Sequence, residues 1–322
     1  MNVYPDLFAA RRAFVTLFAA QHRAARRHLG IGMGWCIGHH GELLQGLVVD
    51  ERGNRHRFLI TMPDPSRGSI AVLRLSEWGD VVAMPARCHK AARATRLLLD
   101  HFGYHGVGAY LYVWTNLRAR LGCGSSTADV TSAIRAGYAA LGRPANPQVV
   151  ARLAVMAEAA SDSVMFHNRA LAFCHREGRV LEDFGTSYPS IDVLGFSTDA
   201  GGVDTLALPP ANYDAREIDA FARLLDQART AFATRDVRLL GNVASASARI
   251  SQRHLPKPKF DHIERLADDV SACGIQVSHS GSVVGLMFAP GSDAIEDRKI
   301  EAAARAVAMG FRDVHGFTTE VK

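Results

Sequence analysis

The chain has 322 residues, 48% of them hydrophobic and 21% charged, which is ordinary for a globular protein and long enough for two domains of about 150 residues each. Its 37 basic and 32 acidic residues leave a net charge of +5, and no stripe of interleaved basic and aromatic residues points to a nucleic-acid partner. Five scattered cysteines without a CxxC pair indicate neither a disulfide framework nor a zinc site, and favour a cytoplasmic protein. No apolar run approaches the roughly 18 residues of a membrane span.

The first 30 residues are predicted to form a helical extension. The segment from Asp6 to Leu29 is rich in Ala and Arg, and Leu7, Phe14 and Phe18 lie near one face of a helix. Transit peptides share this composition. We favour a helix that packs on the body of the protein.

The next segment is predicted to turn. Glycines between residues 30 and 34 break the helix, and further glycines flank His39-His40, which indicates a tight loop between extended segments. Adjacent histidines suggest a metal ligand as an alternative, but sequence neighbours rarely bind one ion and no third ligand stands near. Strands are then expected at 58–62 and 69–75, separated by a Pro-Asp-Pro turn, followed by a helix over 91–102 and a strand over 108–116.

The central segment, Leu121 to Leu141, predicts an anion site. It begins Leu121-Gly122-Cys123-Gly124-Ser125-Ser126-Thr127 and continues with apolar residues at helical spacing. The first N–H groups of a helix lack intrahelical partners, and the helix dipole places partial positive charge there. Glycines let the backbone approach a phosphate, and Ser125 or Ser126 could cap the helix or hold a metal ion. Asp129 fits a capping box with Ser126, so an ordinary helix cap is the alternative.

Two acidic residues follow at the end of the next helix, predicted over 147–160. If this helix continues, Glu158 and Asp162 lie four residues apart on one face, where two carboxylates repel unless a cation lies between them. They are therefore candidates for binding magnesium and for handling a proton. The alternative is a pair of solvated acids.

A domain boundary is predicted near residue 188, where a new strand begins at Ile191. Beyond it the pattern alternates helices and strands in an α+β layer. Helices are expected over 215–234, 237–253, 261–274 and 293–309. Strands are expected over 191–196 and 311–315, with two further short strands in 275–279 and 280–288 around a loop of small residues.

Three motifs, in this order and at this spacing, resemble those of the GHMP kinases: Gly41-Glu42-Leu43, Leu121–Thr127 and Ser280-Gly281-Ser282. Further segments look like the L-threonine kinase branch associated with cobalamin synthesis, namely residues 42–46, 125–129, 161–163, 201–205, 255–258 and 279–283. The sequence departs from the family's first motif at Ile37, where proline is usual, and at His39-His40, where small residues are more common.

The resemblance implies an α+β protein with the two-domain GHMP kinase fold. A ribosomal-S5-like N-terminal domain would span residues 31–188 and a ferredoxin-like C-terminal domain residues 189–322. The loop Leu121, Gly122, Cys123, Gly124, Ser125, Ser126 and Thr127 would hold the phosphates of ATP. Ser126 and Glu158 would bind Mg²⁺, and Asp162 would act as the catalytic base or orient the substrate hydroxyl.

The substrate end would include Glu42, Gln45, Gly281 and Ser282. The implied reaction is phosphorylation of a small amino-acid hydroxyl, with L-threonine converted to O-phospho-L-threonine, and a homodimer is compatible with it. Homoserine, serine, a sugar or an amino alcohol are alternative acceptors. A nucleotide-binding regulator without turnover, and a thiol enzyme that uses Cys123 at a helix N-terminus, are alternatives from other classes.

Overall fold

The computed structural model of the chain describes residues 30–77, 79–119, 121–167, 169–199, 211–291 and 294–320. The predicted N-terminal helix up to Leu29 and the family-like segment 201–205 lie outside these residues. None of the helices in the described ranges combines the length and the apolar character that a membrane span requires.

The chain folds as two compact units that interleave along the sequence. Of the described residues, the first unit contains those within 30–38, 66–117 and 125–161, and the second contains those within 39–65, 118–124 and 162–320. The chain therefore passes from one unit to the other within β1 (Ile31–Val49) and again within β2 (Arg55–Ser76). The domain bounds inferred from the sequence, at residues 30 and 188, stay a prediction.

The first unit is a sheet covered by helices. Its β2 segment pairs antiparallel with β4 (Gly108–Thr115), and β4 pairs parallel with β3 (Val81–Met84). Apolar side chains on alternate strand positions form a core with the helices, which includes Leu73, Leu111, Leu99 and Ala133. The helices are α1 (His89–His101), α2 (Ser125–Ala140) and α3 (Pro147–Glu158).

The second unit contains a larger sheet. Here β1 pairs with β8 (Gly274–Val277), followed by β9 (Val283–Phe288), β7 (Asp192–Ser197) and β10 (Arg312–Thr318), all antiparallel. Strand β5 (Arg169–Cys174) joins β2 to β6 (Arg179–Ser187). The helices are α4 (Ala215–Thr234), α5 (Val237–Ser251), α6 (Phe260–Asp269) and α7 (Ile295–Ala308).

Both faces of this second sheet are buried. The neighbouring β7 residues Val193 and Leu194 belong to two different hydrophobic clusters, as the alternation of strand side chains requires. One cluster includes Phe221 and Phe232 of α4, and the other includes Ile263 of α6. This packing confirms the mixed α+β architecture that the second half of the sequence predicts.

The tight loop expected around His39-His40 is wrong, because β1 runs unbroken through this segment. Both histidines are buried, at 2% and 0% exposure, so they occupy strand positions instead of a solvated turn. The Pro-Asp-Pro turn is wrong for the same reason, since β2 continues through residues 63–65. Both predictions rested on residues that usually mark turns, glycine in the first case and proline in the second, and here both types lie inside strands.

The glycines at residues 30, 32 and 34 allow the start of β1 to lie close to the backbone of α2. A Cβ at Gly32 would lie 2.1 Å from the carbonyl oxygen of Ala136, and one at Gly34 would lie 2.1 Å from that of Ser132. Real Cβ atoms do not come this close to backbone, so any larger residue must push the helix away from the strand.

We expect Gly32→Ala to lower the free energy of unfolding by about 1–3 kcal/mol or more, because the added methyl overpacks a backbone contact that has no side chain able to move aside. Urea unfolding followed by circular dichroism measures the change. Gly106→Ala is the matched control, since a Cβ there meets nothing within 4 Å. Equal stability of the two variants would contradict the close packing of β1 on α2.

Candidate active site

The second and third family-like motifs contact each other through their backbones. The N–H groups of Ser282 and Val283 donate to the carbonyl of Leu121, at 2.9 and 3.1 Å. A Cβ at Gly281 would lie 2.4 Å from that same carbonyl group. Residues 121–124, which lead directly into α2, are thus held by the loop that joins β8 to β9.

Gly122 and Gly124 adopt positive φ angles of 91° and 66°. Side-chain-bearing residues rarely adopt this conformation, so both positions favour glycine. Such a backbone, followed at once by a helix N-terminus, offers N–H groups to an anion. This backbone is compatible with the anion site expected at the loop, and the site itself stays a prediction.

The first turn of α2 meets Glu158 at the end of α3. The Ser126 hydroxyl donates to Glu158 Oε2 at 2.6 Å, and the Thr127 hydroxyl donates to Oε1 at 3.0 Å. Glu158 is 8% exposed. A serine hydroxyl and a carboxylate are oxygen donors of the kind that Mg²⁺ prefers, so this pair fits a magnesium ion.

The predicted capping box is wrong, because Asp129 does not reach back to Ser126. It accepts from the Ser69 hydroxyl at 2.6 Å instead. Burial raises the pKa of Asp129 to about 6, against the opposing effect of that hydrogen bond. Asp129 therefore accepts a hydrogen bond inside the first unit instead of completing a capping box.

Glu158 and Asp162 do not share a helical face, contrary to the prediction. Helix α3 ends at Glu158 because Ala159 adopts a left-handed conformation, with φ of 68°. Asp162 has an extended backbone and precedes a short 3₁₀ turn, Ser163–Phe166. A cation held between two carboxylates of one helix is thus wrong, and the two acids have different partners.

Asp162 forms a buried ion pair with His39 of β1. His39 Nε2 donates to Asp162 Oδ2 at 2.8 Å, and the two residues are 2% and 7% exposed. Burial alone would lower the pKa of His39, but the charge of Asp162 and their hydrogen bond outweigh it and raise that pKa to about 9. Burial alone would raise the pKa of Asp162, but His39 outweighs it and holds that pKa well below its usual range.

Glu42 lies in the same group of side chains. Its Oε1 accepts from His279 Nδ1 at 3.1 Å, whereas its Oε2 has no hydrogen-bond partner among the described protein atoms. Glu42 is 1% exposed, so the second oxygen is buried without a donor. A buried carboxylate oxygen is costly unless it accepts a hydrogen bond, so a donor from a water or from a bound ligand would stabilise Glu42.

His175 completes this histidine–carboxylate cluster, which we define as His39, Glu42, Asp162, His175 and His279. The ring centroids of His175 and His279 are 5.4 Å apart. Burial, together with the nearby His279, lowers the pKa of His175 to about 3, so this imidazole is neutral. From the sequence, His39 is considered only as a metal ligand and as a departure from the first motif, and His279 only as the first residue of a family-like segment. His175 is not singled out, because it lies in no motif.

Two groups of the described residues have the composition of metal sites. One atom each from His39, Glu42 and Asp162 lie within 4.8 Å of one another, as do atoms of His56, Cys174 and Glu177. In the first group His39 Nε2 already pairs with Asp162, and a metal bound there would have to displace the proton of His39. In the second, burial, followed by the charge of Glu177, raises the pKa of the Cys174 thiol to about 11. We assign neither group as a metal site.

Gln45 and Ser282 have other neighbours. The Gln45 backbone N–H donates to the Ser247 hydroxyl of α5 at 3.1 Å, and Gln45 Nε2 is buried without a described partner. The Ser282 hydroxyl lies 2.7 Å from that of Ser197. The substrate roles of both residues stay predictions.

Lys257 is a buried cation that the sequence analysis did not single out as a site residue. It is 4% exposed, and its Nζ donates to the carbonyl of Gly281 at 2.7 Å. Burial lowers the pKa of Lys257 to about 7. The sequence signal that could have pointed to Lys257 is its position between two prolines, in Leu255-Pro256-Lys257-Pro258.

We expect this lysine to make the protein more stable as the pH rises from 7 toward 10. In that range the unfolded chain keeps the proton on Lys257 while the folded chain has lost it, so raising the pH favours folding. Urea midpoints measured across this range check the sign against Lys257→Met, which has no such group. An equal pH dependence in both proteins would contradict the assignment.

The comparisons with known proteins agree with this geometry. Residues 89–169 match the family model of the GHMP kinases N terminal domain. Over these residues the chain is similar to the N-terminal domain of the GHMP kinases. It is also similar to a solved homoserine kinase from Cytophaga hutchinsonii, with a TM-score of 0.67 and 13% identity, covering 93% of this chain and 97% of the other. This likeness confirms the GHMP kinase fold.

Two sequence relatives, each matched over about half of this chain, are named L-threonine kinases. An L-threonine kinase of Citrobacter freundii is 31% identical over 170 residues, which is 52% of this chain and 58% of the relative. An L-threonine kinase of Salmonella typhimurium is 32% identical over 175 residues, covering 52% and 55%. The chain thus spans a little over half the length of these curated relatives.

Proposed function

We propose that the protein is an ATP-dependent kinase that phosphorylates the hydroxyl of a small amino acid, with L-threonine as the leading substrate. The observation that carries this proposal is the loop of residues 121–124, in which Gly122 and Gly124 have positive φ angles. The loop is followed directly by a helix whose first turn presents Ser126 to Glu158. The GHMP kinase domain and the names of the sequence relatives support the same reaction.

Residues 121–127 would bind the phosphates through backbone N–H groups and the dipole of α2. Ser126 and Glu158 would hold Mg²⁺, which neutralises the charge that develops on the transferred group when it is bound. Phosphoryl transfer requires little covalent chemistry from the protein, since positioning and charge stabilisation account for most of the rate.

The substrate hydroxyl oxygen attacks the γ-phosphorus of ATP, and the bond from that phosphorus to the bridging oxygen breaks to release ADP. We assign Asp162 to accept the hydrogen bond of the attacking hydroxyl. His39 keeps Asp162 ionised by lowering its pKa. A weakly basic carboxylate orients the hydroxyl and takes its proton late, which suits a loose phosphoryl-transfer transition state.

An amino group on the substrate is the best partner for Glu42. An ammonium donates hydrogen bonds and carries positive charge, so it would satisfy the buried Oε2 that has no described partner. A neutral sugar hydroxyl would satisfy it less well. Glu42 therefore favours an amino acid or amino alcohol over a sugar.

The chemistry of Cys123 argues against the thiol-enzyme alternative. Reactive cysteines are at least partly exposed, whereas Cys123 is 2% exposed. We expect iodoacetamide to leave the activity unchanged.

The test is release of ADP from Mg-ATP with L-threonine, D-threonine, L-serine, L-homoserine and several sugars as acceptors. Saturable turnover with L-threonine supports the full proposal. Turnover only with another amino acid keeps the kinase and changes its substrate. Absence of turnover with every acceptor, in protein that binds ATP, contradicts the proposal and favours a nucleotide-binding regulator.

A further inference from the structure

His39 contacts the loop of residues 121–124, which we call the phosphate loop, at two points. Its backbone N–H donates to the carbonyl of Cys123 at 3.3 Å. Its ring lies against Gly124, since a Cβ at Gly124 would come within 2.1 Å of His39 Cδ2 and 2.5 Å of Nε2. Glycine is therefore required at residue 124 to leave room for the imidazole, in addition to its positive φ.

The same ring contacts Asp162 through Nε2. The Cδ2–Nε2 edge of this imidazole thus lies against Gly124, and its Nε2 also forms the hydrogen bond to the carboxylate. His39, residues 123–124 and Asp162 all belong to the second compact unit. The sequence resemblance does not explain this histidine, because small residues are more common in that part of the family's first motif.

The charge on His39 follows from its surroundings. Asp162 and Glu42 both stabilise the protonated ring, and together with the hydrogen bond they outweigh burial. The nearby imidazole of His175 is neutral because of burial, and His279 donates to Glu42. At neutral pH the cluster therefore contains an imidazolium beside the phosphate-loop backbone.

We propose that His39 is a positioning residue for phosphoryl transfer, which fixes the Asp162 carboxylate and neutralises its charge next to the loop that receives the anionic phosphates. The proposal rests on the kinase function proposed above. A lone carboxylate buried there would repel the incoming triphosphate and would itself be costly to bury. Paired with an imidazolium, the same carboxylate can accept a hydrogen bond from the substrate without adding net negative charge.

The first experiment compares His39→Gln with the wild type and with His262→Gln, an exposed histidine of α6 that serves as the matched control. We expect His39→Gln to lower kcat about 10–100-fold, as loss of a supporting partner does, with little change in the KM for ATP. Unchanged kcat in His39→Gln would overturn the proposal.

The pH profile separates positioning from a purely structural role. In the wild type we expect kcat to fall above about pH 9, where His39 loses its proton, and this alkaline limb should vanish in His39→Gln. The acidic limb should move to higher pH in the variant, because the partner that lowers the Asp162 pKa is gone. A variant that loses rate but keeps both limbs would overturn the proposal.

In His39→Ala, added imidazole should restore part of kcat by filling the vacated space. A titration of the wild-type protein remains informative even if a variant folds poorly or if no acceptor is found. In wild-type protein with labelled histidines, the NMR resonance of His39 should titrate with a midpoint near pH 9. This midpoint should be lower in Asp162→Asn, and the resonance should shift when ADP binds. Titration near the ordinary histidine value would overturn the proposal, whereas absence of turnover with normal titration would count against the kinase function alone.

Discussion

Replacing Asp162 by Asn is expected to lower kcat about 10²–10⁴-fold, the usual range for loss of an acid–base group. The substitution keeps nearly the same shape, and the amide oxygen can still accept from His39 Nε2. It removes the negative charge that orients the substrate hydroxyl and receives its proton. Initial rates of ADP release with saturating Mg-ATP and L-threonine measure the effect.

The matched control for this variant is Asp226→Asn. Asp226 is an exposed carboxylate of α4 that pairs with Arg229 at 2.6 Å. Its substitution removes a similar charge from a residue to which we assign no part in the reaction. A decrease below about threefold for Asp162→Asn would correspond to less than 1 kcal/mol of transition-state stabilisation. Such a result would remove Asp162 from the mechanism.

The second large effect is expected at the pair that we assign to magnesium. Ser126→Ala and Glu158→Gln should each raise the Mg²⁺ concentration needed for half-maximal rate, by about 10–100-fold. Both changes remove an oxygen donor or its charge while leaving the size of the side chain similar. A magnesium titration at fixed ATP, read as the rate of ADP release, gives the comparison.

Ser132→Ala provides the control on the same helix. Its hydroxyl donates to the carbonyl of Asp129 at 2.9 Å and makes no recorded contact with Glu158. The double variant Ser126→Ala/Glu158→Gln should lose less than the product of the two single effects, since both residues would act on one ion. An unaltered magnesium requirement in both single variants would disprove the assignment.

Much of the fold could be predicted because local signals agreed with the tertiary structure. The helix predicted over 215–234 is confirmed as Ala215–Thr234, with Asp214 and Glu217 forming a capping box. The loop and helix at residues 121–140 carry glycines and small residues whose preferences are local. These elements depend on nearby sequence, which a single chain displays.

The cluster around Asp162 could not be predicted from spacing. His39 and Asp162 are separated by 123 positions, and Glu42 and His279 by 237. Only the tertiary fold brings such residues together. The left-handed conformation of Ala159 could not be predicted either, because alanine favours helix and gives no sign that α3 ends at Glu158. Because the helix ends there, Glu158 and Asp162 do not share a helical face and have different partners.

The glycines at 32 and 34 illustrate a different failure. Glycine is most often a sign of a turn, and the sequence analysis interpreted it that way. Here the absence of a side chain serves backbone packing between a strand and a helix. The sequence shows the small residue, whereas only the structure shows what lies opposite it.

The interleaving of the two units has a consequence for synthesis of the chain on the ribosome. Strand β1 pairs with β8 through Glu42 and Val277, while β10, which follows both in the chain, pairs with β7 in the same sheet. The second unit cannot be completed until β10 has emerged, and such long-range pairing slows folding. A fragment that starts at residue 189 would leave the edge of β8 without its native neighbour, and we expect it to aggregate through that edge.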